Sequence, residues 1–159
     1  MNGSRIFIGL LAFLALASAS AHEIPSGWRP LSPSDRAINN ERVTTAMVRT
    51  GADFNGDGQE DLATVLAHVL NPDRAGVFVF LSSSGKPMAT KIDEYTFASE
   101  EYMLVPVKKG CYKSETRKVC LRHDGILRTE IEYGWGTLYW LHGENWKRMG
   151  ITRGEFPGL

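Results

Sequence analysis

The segment from residue 53 to residue 61 combines the residue types and the spacing of a loop that binds a divalent metal ion. Oxygen-bearing side chains occupy loop positions 1, 3, 5 and 9, and position 7 can offer its main-chain carbonyl. Ca²⁺ is bound by about six to eight oxygen atoms that surround one point. We therefore expect one calcium ion here, held by the side chains of Asp53, Asn55, Asp57 and Asp61 and by the carbonyl of Gln59.

Two features favour this interpretation over an Asp/Asn/Gly-rich hairpin turn that binds no ion. Gly56 and Gly58 permit the positive φ angles that a tightly coiled loop needs, and an ordinary turn does not require four ligands in register. An EF-hand is excluded, because its position 12 carries a bidentate Glu where this sequence has Thr64. The flanking segments 43–49 and 62–70 predict strands rather than long helices.

Strands are also predicted along most of the remaining chain. Residues 77–81 are apolar on both faces, as in a central strand that is buried on both sides. In the segment 127–133 the charged residues Arg128, Glu130 and Glu132 share one face, which we expect to face solvent. Further strands are predicted at 90–95, 102–107, 137–141 and 146–151.

One short helix is predicted on the N-terminal side of the loop, over residues 33–40. Ser32 can cap this helix, Pro33 suits its first position, and Asp35 lies where the acid of a capping box is found. Together these elements predict a mainly β fold: a single compact antiparallel β domain, a β-meander, with a short N-terminal helix.

The first 21 residues predict a secretory signal peptide. Arg5 supplies a charged start, residues 6–16 form an apolar run, and residues 19–21 are small, as a cleavage site requires. The apolar run is too short for a helix that crosses a membrane, which needs about 20 residues. We therefore expect export to the periplasm or beyond, without membrane insertion after cleavage, and a mature domain over residues 22–159.

The loop motif resembles a known family. Residues 53–63 read Asp-Phe-Asn-Gly-Asp-Gly-x-x-Asp-Leu-Ala, which is similar to the calcium loop of FG-GAP/VCBS-type repeats, the β-meander units that form the blades of integrin-like propellers. The order of the segments around it resembles small exported bacterial proteins with one such unit: residues 24–29, 77–81, 104–106, a Cys pair and an aromatic end at 138–148. The resemblance implies a β-rich fold and bound calcium and implies no catalytic residues. A second loop of this type does not occur in the sequence, so we expect one unit rather than a closed propeller.

The two cysteines, Cys111 and Cys120, predict a disulfide, because an exported chain folds in an oxidising compartment. The polar residues between them indicate a hairpin joined near its base. The alternative, in which Cys111 is a nucleophile and His123 its base, is disfavoured by the even number of cysteines. Lysines cluster around this hairpin at 108–109 and 113–118, either as a solvated tip or as a binding patch.

The sequence shows no established set of catalytic residues. Hydrolase and phosphate-binding motifs are absent, and the acids of the loop are needed by the ion. The four histidines are scattered, and His22 would resemble the terminal ligand of a copper-brace oxygenase only if the signal peptide is removed before it. Basic and acidic residues balance at 18 each, without a basic stripe, so nucleic acid is not an expected partner.

Aromatic residues near the C-terminus suggest three roles: core packing, a protein interface, or a platform for sugars. The set consists of Trp135, Tyr139, Trp140 and Trp146. Trp135 has glycines on both sides, so we expect it at a turn tip and consider it the candidate for partner binding.

Two functions of different classes follow from these features. The first is an exported calcium-binding β module, a non-catalytic protein of the bacterial periplasm that binds an unidentified protein. The alternative is a calcium-dependent enzyme or binding protein that acts on cell-wall or glycan substrates.

Overall fold

The computed structural model describes residues 22–32, 35, 47–82, 89–96, 102–113, 117–130 and 135–152. Of these residues 64% lie in strands, the sheets are antiparallel, and none of the described residues lies in a helix. The predicted mainly β, antiparallel fold is therefore confirmed. The described part of the chain contains eleven strands: β1 (Trp28–Pro30), β2 (Arg49–Ala52), β3 (Asp61–His68), β4 (Arg74–Phe80), β5 (Ala89–Thr96), β6 (Tyr102–Val107), β7 (Gly110–Lys113), β8 (Lys118–Leu121), β9 (Gly125–Glu130), β10 (Gly136–His142) and β11 (Asn145–Ile151).

The first sheet is organised around β3, which follows the 53–61 loop directly. β4 pairs with one side of β3, and β5 pairs with β4. On the other side, β2 pairs with residues 61–64 of β3 and β1 pairs with residues 66–68. Ala52 lies opposite Asp61 in the antiparallel β2–β3 pair, so the loop connects two paired strands. The predicted order of strand, loop and strand is confirmed, but the first strand lies at Arg49–Ala52 and not over 43–49, since residues 47–48 form a turn and 43–46 fall outside the described residues.

The second sheet has the strand order β11-β10-β9-β6. The last three strands of the described residues lie side by side in sequence order, as a β-meander requires. β6 pairs with the free side of β9. Between β6 and β9 in the chain, β7 and β8 form a separate two-stranded unit, which we call the disulfide hairpin.

The two sheets share one apolar core. Alternate residues of β3 and β4 point into it, because successive side chains of a strand lie on opposite faces. Burying an aliphatic or aromatic side chain contributes about 1.5–3 kcal/mol relative to its exposed state, so this layer is a main source of stability. The residues that build it include Ala63, Val65, Val77, Val79, Leu104, Ile126 and Tyr139.

The outer face of the first sheet is apolar as well. Leu66, Phe78 and Phe80 form a second buried cluster there, and Trp28 packs against it. Residues 75–80 of β4 are consequently buried on both faces. This confirms the predicted buried central strand over residues 77–80, whereas Leu81 follows the strand and is half-buried.

The disulfide hairpin packs on the outer face of the second sheet. Val119 and Leu121 of β8 form a buried cluster with Leu127, Leu138 and Ile151. The hairpin thereby shields apolar residues of the sheet from solvent, and it is fixed against the strands that carry them.

The expectation that Arg128 faces solvent is wrong. Its side chain is only 13% exposed and lies 3.8 Å from a carboxylate oxygen of Asp93. The guanidinium carbon is 4.2 Å from the ring centroid of Tyr95 and 4.7 Å from that of Tyr102. The aromatic faces and the carboxylate offset part of the lost hydration of this guanidinium, whose Nε and Nη1 have no hydrogen-bond partner among the described residues. Alternation of charges along β9 therefore does not mark a solvent-facing side at this residue.

Some predictions fall outside the described residues. These are the signal peptide over 1–21, most of the helix predicted over 33–40, residues 43–46 of the strand predicted at 43–49, and residues 131–133 of the strand predicted at 127–133. Asp35 is described: its Oδ2 accepts hydrogen bonds from the main-chain N of Ser32 at 2.6 Å and from Ser32 Oγ at 3.1 Å. The contact of a capping box is thus present, and the helix itself stays a prediction.

Candidate metal centre

The loop between β2 and β3 has the backbone that its glycines predict. Gly56 and Gly58 both have a φ of +83°, a conformation that glycine adopts readily and L-residues adopt rarely. The loop begins after Ala52 and ends at Asp61, the first residue of β3. The residues between these two positions are therefore held at both ends by the paired strands.

Asp53 organises the first half of the loop. Its Oδ1 accepts hydrogen bonds from the main-chain N of Gly56 at 2.6 Å and of Asp57 at 3.1 Å. Its Oδ2 accepts a hydrogen bond from the main-chain N of Gly58 at 3.0 Å. The N–H groups of the coil thus point inward toward the Asp53 carboxylate.

Asn55 and Asp57 stabilise successive turns of the same coil. Asn55 Oδ1 accepts a hydrogen bond from Asp57 N at 2.9 Å, and Asp57 Oδ1 accepts one from Gln59 N at 2.8 Å. Asn55 Nδ2 donates to Asp57 Oδ2 at 3.0 Å. Asp57 and Gln59 are exposed to solvent, and Asn55 is half-buried. The predicted ligands at positions 3, 5 and 7 therefore lie in one accessible loop.

Asp61 differs from the other predicted ligands because it is buried, with 1% of its surface exposed. Its Oδ2 accepts a hydrogen bond from Phe54 N at 2.8 Å. Its Oδ1 accepts hydrogen bonds from Ser82 N at 2.7 Å and from Ser82 Oγ at 3.0 Å. Asp61 thereby joins the start of the loop to Ser82, two residues beyond the end of β4, a structural role that the motif alone does not reveal.

The donor set fits calcium in kind, since every predicted ligand offers oxygen and hard cations prefer oxygen. Asp53 Oδ2, Asp57 Oδ1 and Asp61 Oδ2 each accept one N–H, and a carboxylate oxygen that accepts one hydrogen bond retains capacity for a further contact. Among the described residues, no group of three or more His, Cys, Asp or Glu side chains is placed so that it could hold a metal ion. Calcium therefore stays a prediction.

A cleft that the sequence did not predict lies beside this loop. Its volume is about 690 Å³, and it is lined by Asp53, Gly56, Lys108, Lys109, Arg122, His123 and Asp124. These residues come from the loop, from the connection between β6 and β7, and from the turn between β8 and β9. The disulfide hairpin brings the last two segments together, although they are distant in sequence.

Asp124 fixes the walls of this cleft. Its carboxylate accepts hydrogen bonds from Lys108 Nζ and from Lys109 N, both at 2.9 Å. Burial alone would raise the pKa of Asp124, but the hydrogen bonds from Lys108 and Lys109 lower it below its ordinary value. The main-chain N of Asp124 donates to the carbonyl of Asp53 at 3.1 Å, which attaches the β8–β9 turn to the loop.

Cys111 and Cys120 form the predicted disulfide. They lie opposite each other in the β7–β8 pair, with a Cα–Cα distance of 4.0 Å. This pairing overturns the alternative in which Cys111 acts as a free nucleophile.

Three of the four described histidines contact different parts of the molecule. His22 packs edge-on against Phe80, and His68 packs edge-on against Trp28. His123 lies against the backbone of Gly56, where a Cβ atom would come within 2.1 Å of its Nδ1.

Trp135 precedes β10 and is 57% exposed. Its carbonyl accepts hydrogen bonds from Glu130 N at 2.8 Å and from Thr129 Oγ1 at 3.2 Å, so its backbone is held while its ring faces solvent. The other members of the aromatic set are less exposed: Tyr139 is fully buried, and Trp140 and Trp146 are half-buried. A role of Trp135 in partner binding stays a prediction.

Comparison of the chain with family models, with curated proteins and with solved structures finds no match. Within the described ranges, no helix is long and apolar enough to cross a membrane.

Proposed function

We propose that this protein is an exported, non-catalytic β module that binds a protein partner and is stabilised by one calcium ion. The observation that carries the proposal is the 53–61 loop, in which an all-oxygen set of predicted ligands lies on a coil with two glycines at positive φ. The resemblance of this segment to FG-GAP/VCBS-type loops supports the same interpretation. Export to the periplasm or beyond is part of the proposal and is supported by the signal peptide predicted for residues 1–21.

The ion would have a structural role. Asp53, Asn55 and Asp57 would contribute side-chain oxygens, Gln59 its carbonyl, and Asp61 a carboxylate at the start of β3. Calcium would neutralise the carboxylates that the loop concentrates and would hold the ends of β2 and β3 together. Affinity is expected on the order of 10⁻⁴–10⁻³ M, as in other extracellular modules.

Thermal unfolding with and without calcium tests the role of the ion. A ligand that binds only the folded state at about 20 times its Kd adds about 1.8 kcal/mol of stability, which corresponds to a rise in Tm of roughly 5 °C for a domain of this size. Asp57→Asn should lose most of this rise, because it replaces a charged predicted ligand with a neutral one. The variant should still fold, because Asp57 is exposed and its contacts lie within the loop. A Tm that calcium leaves unchanged in the unaltered protein would reject the structural role.

Trp135 is the proposed contact for the partner. A large aromatic ring that is exposed on a held backbone resembles the residues that dominate binding energy in protein interfaces. The proposal of a non-catalytic role is supported by the hydrogen bonds of the loop carboxylates, since an acid that is held by N–H groups or by a metal is a poor proton shuttle.

Capture of partners from periplasmic extract tests this surface. Trp135→Ala should weaken capture and leave the Tm nearly unchanged, because the ring is largely exposed. Leu70→Ala is the matched control, since Leu70 is 88% exposed in a different turn. Equal capture by both variants would reject Trp135 as the contact, and turnover on glycan or peptidoglycan panels would reject the non-catalytic role.

A further inference from the structure

The lining of the cleft beside the loop contains more basic than acidic side chains. Lys108, Lys109 and Arg122 face two carboxylates, those of Asp53 and Asp124. Asp124 is engaged by Lys108 Nζ and by Lys109 N, and Asp53 accepts three N–H groups of its own loop. Among the described residues no acid pairs with the Nζ of Lys109 or with the guanidinium of Arg122.

The walls of the cleft are preorganised. The β8–β9 turn is attached to the loop by the hydrogen bond from Asp124 N to the Asp53 carbonyl and by the packing of His123 on Gly56. The backbone at Lys109 is attached to the same turn through the Asp124 carboxylate. A ligand that enters the cleft would therefore meet cations whose backbones are already fixed, which lowers the entropic cost of binding.

The chemistry of the free cations selects the class of ligand. Arg presents a planar fork that matches the two oxygens of a carboxylate or a phosphate, and Lys adds a mobile point charge. The volume of about 690 Å³ lies in the range that accepts small ligands. Arg122 and Lys109 are both exposed, so an anion can reach them from solvent.

We propose that this cleft binds a small oxyanion, a carboxylate or phosphate group, through Arg122 and Lys109. This site is distinct from the proposed calcium site, because neither Arg122 nor Lys109 is among the predicted calcium ligands. The two sites share one residue, since Asp53 is both the first residue of the loop and a wall of the cleft. Calcium at the loop would neutralise Asp53 and so strengthen anion binding, and by linkage the anion would strengthen calcium binding by the same factor. Only this coupling rests on the proposed function.

NMR titration of the purified protein with inorganic phosphate, and separately with glutarate, tests the site at constant ionic strength. The amide signals of residues 108–109 and 122–124 should shift and saturate. Arg122→Ala and Lys109→Ala should each weaken binding by about tenfold, as expected for lost charge-assisted hydrogen bonds. Lys109→Ala keeps the main-chain N that bonds Asp124. Lys147→Ala is the control, because it removes another exposed cation that lies outside the cleft lining, and it should leave binding unchanged.

The outcome separates the two ligand chemistries and the two sites. Tighter binding of phosphate assigns the cleft to phosphorylated ligands, and tighter binding of glutarate assigns it to carboxylates. Shifts that do not saturate, or an equal loss in Lys147→Ala, would overturn the site. Repeating the glutarate titration with calcium should tighten binding about fivefold or more. Unchanged affinity in a protein that does bind calcium would overturn the coupling, whereas failure to bind calcium at all would overturn the proposed function and leave the anion site standing.

Discussion

At the scale of single residues, acids of one motif occupy different environments. Asp57 is exposed and bonds only within the loop. Asp61 is buried and links Phe54 to Ser82. The motif assigns both acids as calcium ligands. Replacement of Asp57 should affect only calcium binding, whereas replacement of Asp61 should affect the stability of the fold.

Asp61→Asn should destabilise the calcium-free protein by about 2–3 kcal/mol. In the unaltered protein both carboxylate oxygens accept hydrogen bonds from N–H and O–H donors, and the amide NH₂ of Asn would place a donor against one of these donors. Asp57→Asn should change the stability of the calcium-free protein by less than about 0.5 kcal/mol, as is usual for exposed sites. Urea unfolding of the two variants measures this difference. Similar losses would contradict the distinct roles assigned to the two acids.

Gly56 and Gly58 provide a second matched pair, since both have a φ of +83°. Alanine at either position should cost about 1–2 kcal/mol for its left-handed conformation. Gly56→Ala should cost roughly 1 kcal/mol more, because its Cβ would displace the ring of His123, whereas nothing lies within 4 Å at Gly58. The extra loss should vanish in a His123→Ala background. If it persists there in unfolding measurements, the contact with His123 is not its cause.

At the scale of elements, the sequence was sufficient to predict the loop and the strand that follows it, whereas the preceding strand, predicted over 43–49, lies at Arg49–Ala52. The two glycines and the residues on both sides of them are signals carried by neighbouring residues, so they can be recognised without knowledge of the fold. The cleft could not be predicted in this way, because Lys109 and Arg122 lie on opposite sides of the disulfide hairpin in the chain and meet only when it folds. The environment of Arg128 was missed for a similar reason, since its partners Tyr95 and Tyr102 lie on β5 and β6.

The segment after β1 should give a measurable pH dependence. Hydrogen bonds from Arg29 lower the pKa of Asp35 from 3.8 to about 2, against the effect of burial. Because the pKa is lowered in the folded state, this pair contributes stability above about pH 4, and the contribution is lost as the pH falls toward 2. Arg29 is 36% exposed, so solvent screening limits the contribution to about 1 kcal/mol.

Urea unfolding at pH 5 and at pH 2 measures this contribution. Arg29→Gln should reduce the difference in unfolding free energy between the two pH values by about 1 kcal/mol relative to the unaltered protein. The same difference in both proteins would show that the pair does not contribute.

At the scale of the whole molecule, Asp93 is a polar connection between the two sheets. From β5 it accepts hydrogen bonds from Tyr139 Oη at 2.5 Å and from Arg148 Nη1 at 2.6 Å, and Arg128 lies 3.8 Å away. Burial and the neighbouring Asp93 carboxylate raise the pKa of the Tyr139 hydroxyl, so it remains a donor at neutral pH.

Asp93→Ala should destabilise the protein by about 3 kcal/mol, because it leaves the buried guanidinium of Arg128 without its carboxylate. Arg148→Ala is the control: its side chain is 65% exposed, and its loss should cost less than about 1 kcal/mol. Chemical unfolding of both variants compares them. A loss in Asp93→Ala no larger than that in Arg148→Ala would mean that the connection between the sheets is apolar alone.

Direct calcium titration, followed by NMR, is the most direct test of the central proposal. At constant ionic strength, the amide signals of Gly56 and Gly58 should shift and saturate with a Kd on the order of 10⁻⁴–10⁻³ M, and Asp57→Asn should weaken binding by about tenfold or more, as for a lost charged contact. Loop signals that do not change with calcium in the folded protein would contradict the proposal that this loop binds calcium. The 53–61 segment would then be a turn held by its own hydrogen bonds.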